Sequence, residues 1–246
     1  IKLILILLFI SCNSSLEKWK SYDESEEISK NSSSENRKLR YKRIQSISTD
    51  KNKLIDGLEN EIENFIKTKY DKLKPKIVEK SIPELQQSVI NKEFSYYDLT
   101  LFYLSRIYLV EFNEETYLNS IISINKNILE EAKSKDSQGN SDIYSVFGIP
   151  ILLKDNIGFE SLPTTAGAHS LQNNYTKDAY VVEKLKEKGA LILGKTNLSE
   201  WANYFCSGCP NGYTALGGQT LNPYGRKKID TGGSSSGSGA ATASNL

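Results

Sequence analysis

The chain has 246 residues, enough for one large domain or two small ones. Its 31 Lys and Arg side chains nearly balance its 30 Asp and Glu side chains, so it lacks the basic face that a nucleic-acid partner requires. A single histidine, His169, excludes metal sites made of two or three histidines, and neither a metal nor another cofactor is predicted.

The first residues are typical of a targeting segment. Lys2 precedes an apolar run, Leu3 to Ile10, which is too short to span a bilayer and suits the core of a signal peptide. Ser11 and Cys12 follow, and this junction resembles a bacterial lipobox, in which the cysteine is lipidated. Residues 1–12 are therefore predicted as a signal peptide with lipidation at Cys12. The protein is expected to be exported and anchored to the membrane of the bacterial cell envelope, although an ordinary cleaved signal stays open.

A polar segment comes next. Residues 13–53 mix Ser, Asn, Glu, Lys and Arg without any period. Such a composition buries too little apolar surface to fold, so the segment is predicted as a disordered tether. Residues 54–80 are instead predicted as a helical lead-in that breaks at Pro75, because apolar side chains recur there at helical spacing: Leu54, Ile55, Leu58, Ile62, Phe65 and Ile66.

Three more helices are expected before residue 140. One begins at a capping box formed by Ser81 and Glu84. A second runs from about Tyr97 and presents an apolar face, and a third covers 125–135. The apolar face of the second comprises Leu101, Leu104, Ile107 and Tyr108. These helices carry no catalytic pattern, so packing is the better interpretation of their apolar positions.

From residue 143 the pattern becomes α/β. A strand is predicted within 149–157, a helix over 178–188 and a buried strand over 190–193, with Gly189 ending the helix. Val181, Val182 and Leu185 are expected to face inward. Strand, helix and strand at this spacing predict a crossover onto a parallel part of a sheet. A helix over 199–203 and a long glycine-rich loop over 205–233 follow.

The stretch from Gly189 to Thr196 fits the phosphate-loop pattern G-x-x-x-x-G-K-[ST]. A phosphate loop needs exposed backbone N–H groups between its glycines. Here the intervening residues are Ala-Leu-Ile-Leu, which favour a buried strand, so nucleotide binding is not predicted.

Cys206 and Cys209 form a C-x-x-C pair in this loop. One such pair is half of a four-cysteine zinc site, and no second pair exists. A disulfide is plausible in an exported protein, and free thiols stay open.

Two further features carry chemistry. Lys154 is the last residue of a predicted apolar strand. Desolvation there would lower the pKa of its ammonium group and suit it to act as a base. The alternative is a lysine that reaches solvent or pairs with Asp155. The run from Gly232 to Gly239 lets the backbone approach another chain closely, although a flexible loop would look the same.

Several segments together resemble the amidase signature family of serine hydrolases, and lean toward its peptide-amidase-like branch. They occur in family order at 147–157, 163–167, 178–182, 194–203, 217–223 and 232–239. The resemblance covers 81–246, the N-terminal part of an amidase domain. It implies an α/β fold with a central mixed sheet flanked by helices, incomplete at the C-terminus.

The resemblance also implies a Ser-Ser-Lys triad. In it Lys154 is the base and Ser234 the bridging serine, held by a cis peptide bond, with Ser235, Gly232 and Gly233 in support. The loop from Phe205 to Gln219 would line the cleft for a small-molecule or peptide amide. Hydrolysis of a carboxamide to an acid and an amine needs no cofactor.

The nucleophilic serine is not found in the sequence. The family places it roughly two dozen residues after the bridging serine, past Leu246, and the chain also lacks a Met at position 1. The sequence is therefore expected to be a fragment that is inactive alone. A rival hypothesis is a non-catalytic exported lipoprotein, a degenerate amidase relative that binds a ligand. The substrate and the oligomeric state stay open.

Overall fold

The computed structural model describes residues 15–246. The predicted signal peptide, Cys12 included, lies outside the described residues. Within the described part of the chain, no helix is long and apolar enough to cross a membrane.

Helices form most of the first half. They are α1 (Ser25–Ser32), α2 (Glu59–Phe65), α3 (Asp71–Ile77), α4 (Ile82–Ile90), α5 (Tyr96–Glu111) and α6 (Ile128–Gln138), with a π-helical turn at Ile66–Tyr70 and 3₁₀ turns at Arg37–Leu39 and Lys51–Leu54. The Glu84 carboxylate accepts from the backbone N–H and the hydroxyl of Ser81, so the predicted start of α4 is confirmed. The predicted apolar face of α5 is buried.

The helix that contains Pro75 does not break there. α3 continues to Ile77, and Val78 then turns to an extended conformation. Pro75 therefore lies in the last turn of α3, where it has no N–H to donate to the preceding turn, and the helix ends two residues later.

A three-stranded sheet follows. Its strands are β1 (Ile121–Ile124), β2 (Pro150–Lys154) and β3 (Leu191–Thr196), in the order β1-β3-β2. β2 runs parallel to β3 and β1 runs antiparallel to it, so the sheet is mixed, as predicted. α7 (Tyr180–Glu187) connects the two parallel strands. Val182 on α7 is buried, whereas Val181 is 51% exposed, because one face of α7 packs on the sheet.

The segment 15–53 differs from the predicted disordered tether. It folds against the rest of the chain, and Tyr41 and Ile44 are 3% and 0% exposed. Together with Leu39 they form an apolar cluster with Tyr117, Leu118 and Leu221. The composition argument failed because these few apolar side chains bury against an existing surface and need no core of their own.

A buried ion pair also holds this segment. The Lys51 ammonium lies 3.2 Å from the Glu111 carboxylate on α5 and over the Trp19 ring. The Glu111 carboxylate also accepts from the backbone N–H groups of Asn119 and Ser120. Burial lowers the pKa of the Lys51 ammonium. Burial of Glu111 would raise the pKa of its carboxyl group, but the Lys51 charge and the hydrogen bonds from Ser120 outweigh this effect and lower that pKa.

Candidate active site

Lys154 is the last residue of β2, and its side chain turns toward the serine-rich segment. The Lys154 amine donates to the Ser234 hydroxyl at 2.6 Å. Burial lowers the pKa of the Lys154 ammonium. Lys154 does not pair with Asp155, because successive strand side chains point to opposite faces. Lys154 therefore has the surroundings of a base and a hydroxyl partner.

The site lies at the carboxyl ends of the parallel strands β2 and β3. Open α/β sheets bind ligands at this edge. α8 (Ser236–Ala243) begins over this edge. A Cβ atom on Gly237 would lie 2.3 Å from the backbone oxygen of Asn197 and 2.6 Å from that of Ser120. Only glycine permits this approach, which brings the start of α8 onto the ends of the strands.

The serines of this segment have different surroundings. The Ser238 hydroxyl lies 2.7 Å from the Thr196 hydroxyl at the end of β3, and the Ser236 hydroxyl donates to the Gly232 carbonyl. The Ser235 hydroxyl is exposed, and no partner for it occurs among residues 15–246. The structure thus gives Ser236 and Ser238 the supporting contacts that the resemblance implied for Ser235. No local spacing in the sequence indicates these contacts, because Ser234 precedes α8 whereas Ser236 and Ser238 lie within it.

The glycines before Ser234 turn the chain into the site. Gly232 and Gly233 have positive φ values of 70° and 38°. The Ser199 N–H donates to the Ser234 carbonyl, and the Ser199 hydroxyl donates to the Gly233 carbonyl. Every peptide bond within the described residues is trans, so the cis bond implied at Ser234 is not observed. A cis bond before a residue other than proline needs surroundings that impose it, and the left-handed glycines reach the Lys154 contact without one.

The segment 199–203 is not the predicted helix. It forms a short 3₁₀ turn at Glu200–Asn203, in which Trp201 and Ala202 have φ values of 51° and 54°. Backbone bonds to other segments impose this shape, because the Trp201 N–H donates to the Ala166 carbonyl while Ser199 holds Ser234. The turn therefore follows tertiary contacts rather than local propensity.

The predicted cleft loop, Phe205 to Gln219, contains a disulfide and a small hairpin. The structure joins Cys206 to Cys209. The strands β4 (Tyr213–Thr214) and β5 (Gly218–Gln219) pair antiparallel. The Gly212 N–H donates to the Ser199 hydroxyl, so the same serine contacts both this loop and the segment that bears Ser234.

The opposite face of the two parallel strands holds a second polar cluster. Asp155 and Lys195 are 1% and 0% exposed. The Asp155 carboxylate accepts from the Thr165 hydroxyl and the Gly167 N–H, and the Lys195 ammonium donates to the Ile157 carbonyl at 2.6 Å. Lys195 is thus an inward residue of β3 rather than a phosphate-loop lysine. Gly189, with a φ of 81°, ends α7, as predicted.

Other candidate chemistries find little support in the described residues. His169 is exposed in a 3₁₀ turn, His169–Leu171. Within residues 15–246, no group of three or more His, Cys, Asp or Glu side chains could hold a metal ion. Of the residues predicted to be catalytic, Lys154 and Ser234 are in contact.

The sequence and the fold of the chain match those of known proteins. A family model described as Amidase matches residues 98–246, and the chain belongs to this family, the amidase signature family. A Schizosaccharomyces pombe amidase homologue is 35% identical over 170 residues, 68% of this chain and 28% of the homologue. A glutamyl-tRNA(Gln) amidotransferase polypeptide of Rippkaea orientalis is 39% identical over 167 residues, 66% of this chain and 33% of that polypeptide. The chain spans about a third of the length of these curated relatives.

Solved structures agree. An amidase family protein from Bacillus anthracis has a TM-score of 0.74 and 38% identity, covering 82% of this chain and 41% of that protein. The peptide amidase from Stenotrophomonas maltophilia has a TM-score of 0.64 and 40% identity, covering 68% of this chain and 34% of the amidase. The predicted amidase-signature fold and the likeness to peptide amidase are confirmed.

Proposed function

We propose that this protein hydrolyses carboxamide C–N bonds, and that Lys154 and Ser234 form the proton-transfer half of its active site. The observation that carries the proposal is the 2.6 Å hydrogen bond from the amine of a partly buried lysine to a serine hydroxyl. Within residues 15–246 Lys154 has no carboxylate partner, and burial therefore favours its neutral amine, which is the form that can accept a proton. Membership of the amidase family supports the same chemistry.

In the proposed reaction, neutral Lys154 withdraws a proton through the Ser234 hydroxyl from a nucleophilic serine, which attacks the amide carbonyl. The amine leaves with a proton returned along the same path, and water then releases the acid. The nucleophile is assigned to no residue of this chain. The family resemblance expects it roughly two dozen residues after Ser234, and sequencing the gene beyond the codon for Leu246 tests this.

We propose C-terminal amides of peptides as the substrate class. Support comes from the 40% identity to a peptide amidase and from the solved complex of that enzyme with the competitive inhibitor chymostatin. The identity of 39% to a glutamyl-tRNA(Gln) amidotransferase polypeptide makes glutamine-like amides the second candidate. Release of ammonia from a peptide amide and from glutamine, measured side by side, distinguishes the two.

The proposed location is the cell envelope, with the chain anchored through a lipid on Cys12. The apolar run from Leu3 to Ile10 before that cysteine supports it. Fractionation tests this: the protein should leave the membrane fraction in a Cys12→Ser variant.

The decisive experiment compares amide hydrolysis by the protein of the complete reading frame with that of three variants. We expect Lys154→Ala and Ser234→Ala to lower kcat/KM by roughly 10²-fold or more, the usual effect of losing a proton-transfer group. Ser235→Ala, whose hydroxyl is exposed, is the matched control and should retain activity.

Full activity in Lys154→Ala would refute the proposed role of the lysine. If Ser235→Ala lost activity and Ser234→Ala retained it, the bridging role would belong to Ser235. No hydrolysis by the unaltered protein would favour the non-catalytic binding protein.

A further inference from the structure

An exposed disulfide closes a short loop near the candidate site. Cys206 and Cys209 are bonded at a sequence separation of 3, and every residue of 206–209, here called the disulfide loop, is exposed. A disulfide stabilises a fold mainly by restricting the unfolded chain, and this effect grows with the length of the closed loop. So short a loop adds less to global stability than a long one, and the disulfide acts mainly on the loop itself.

Two cationic side chains of the segment 15–53 lie on the disulfide loop. The Lys38 ammonium donates to the Ser207 and Cys209 carbonyls at 2.9 and 2.8 Å. The Arg37 guanidinium lies 3.2 Å from the position that a Cβ atom on Gly208 would occupy. Positive charge favours a thiolate, which is both the leaving group of thiol–disulfide exchange and the product of reduction. The disulfide is therefore accessible to a thiol and lies beside charges that favour its opening.

The chain segments on the two sides of the disulfide loop are joined to each other. The Asn203 side-chain amide donates to the Asn211 side-chain carbonyl at 3.0 Å, and the Cys206 N–H donates to the Asn203 backbone carbonyl. The three residues 201–203 all have positive φ values, a conformation that is strained for residues other than glycine. The turn before the loop is thus held in its shape by contacts that the disulfide keeps together.

These two flanking segments also hold the residues around Ser234. The Ser199 N–H donates to the Ser234 carbonyl at 3.0 Å, and the Gly212 N–H donates to the Ser199 hydroxyl at 2.8 Å. The Asn211 side-chain amide donates to the Asp230 carboxylate at 2.8 Å. A contiguous set of hydrogen bonds therefore connects the disulfide loop to the proposed bridging serine.

We propose that the Cys206–Cys209 disulfide is a site of thiol–disulfide exchange, and that its reduction by external thiols loosens the segment that carries Ser234. A thiolate attacks one cysteine sulfur, and the other cysteine leaves as a thiolate. A second thiol attacks the resulting mixed disulfide and releases the first cysteine. The external thiols are oxidised to a disulfide, and their electron pair and protons pass to the two cysteines. The consequence for catalysis rests on the function proposed above for Ser234.

Hydrogen exchange, resolved to single amides, tests the connection in the protein of the complete reading frame, either oxidised or reduced with dithiothreitol. The reporters are the Ser199 and Gly212 amides, whose hydrogen bonds link the loop to Ser234. We expect reduction to speed their exchange by roughly tenfold or more, the entropic effect of opening a loop of this size. The amides of α5 should exchange as before, which shows that the fold persists.

The double variant Cys206→Ser, Cys209→Ser is the matched control. It should exchange as the reduced protein does and should not respond to dithiothreitol. If this variant does not fold, the comparison of the oxidised and reduced unaltered protein still decides. Equal exchange of these two forms at Ser199 and Gly212, or a response of the variant to dithiothreitol, would overturn the proposal.

The exchange site is tested separately by counting free thiols in mixtures of reduced and oxidised glutathione. A structural disulfide stays oxidised in such mixtures, whereas we expect this one to be reduced. Lys38→Met should require a higher proportion of reduced glutathione, because it removes the ammonium on the loop. Lys30→Met, which removes a lysine from an exposed ion pair with Glu26, is the control and should change nothing.

A disulfide that remains oxidised in reduced glutathione, or the same midpoint in Lys38→Met as in the unaltered protein, would refute the exchange site described here. Neither measurement requires turnover. Failure of this proposal is therefore distinguished from failure of the proposed amide hydrolysis, which is measured by release of the amine.

Discussion

Lys154 acquires its chemistry from the strand on which it lies. Its backbone belongs to β2, whose apolar residues lead it into a partly buried position, and Ser234 supplies its hydrogen-bond partner. Desolvation disfavours the charged amine. A lysine at the surface would remain protonated at neutral pH, so burial is what suits this residue to the role of base proposed for it.

This leads to a prediction for the pH dependence of activity. The base must be neutral, so kcat/KM should rise with pH and level off above the Lys154 pKa. Because burial lowers that pKa, the rise should be centred below the ordinary lysine value of about 10.4. A pH–rate profile of peptide-amide hydrolysis by the complete protein measures it.

Lys154→Arg is the control for this profile. A guanidinium keeps its charge at all accessible pH values, so the variant should be inactive throughout. A profile of the unaltered protein that is flat, or that falls as the pH rises, would contradict a lysine base.

At the scale of elements, the start of α8 is fixed by close backbone contact rather than by its sequence propensity. Gly237 touches the backbone of Asn197, and its N–H donates to the Asn197 carbonyl at 3.0 Å. Gly239, one residue further than Ser238, has no heavy atom near the position of a Cβ. Two glycines of one helix thus have opposite tolerance for a side chain.

We therefore predict opposite effects for two identical changes. Gly237→Ala should lower the free energy of unfolding by about 1–3 kcal/mol, since the added methyl group overpacks against the backbone that continues from β3. Gly239→Ala should raise it by roughly 0.5–1 kcal/mol, because alanine favours a helix interior. Chemical denaturation of both variants measures the two values. Equal effects would show that α8 does not contact Asn197 as described.

At the scale of the molecule, the segment 15–53 contacts the predicted cleft loop. The Lys38 ammonium donates to the carbonyls of Ser207 and Cys209, within the loop that the disulfide closes. The Ile44 carbonyl accepts from the Gln219 N–H, and the Ser46 hydroxyl donates to the Ala215 carbonyl. The segment thus braces the loop beside the candidate site.

The integrity of this contact can be tested with two isoleucines of the segment. Ile44 is fully buried and Ile47 is 62% exposed. Ile44→Ala should destabilise the fold by about 2–5 kcal/mol, the usual effect of truncating a buried isoleucine. It should also expose the loop 205–219 to proteolysis. Ile47→Ala should do neither, and equal cleavage of the two variants would refute the bracing contact.

Much of the fold could be predicted from local pattern. The apolar period of α5 and the crossover from β2 through α7 to β3 follow from side-chain spacing, because each is a local property of the chain. The segment 15–53 could not be predicted in this way. Its stability comes from a surface formed by distant residues such as Tyr117 and Leu221.

The sequence by itself determined the family, the helices α4 to α7, the parallel strands and the residue types proposed for the site, Lys154 and the serine run. Only the tertiary structure decided which serines meet which partners, that Ser238 contacts Thr196, and that Asp155 faces Lys195 instead of Lys154. The physical reason is that spacing fixes the face of a strand or helix on which a side chain lies. Its partner on that face is set by the packing of segments that are far apart in the chain.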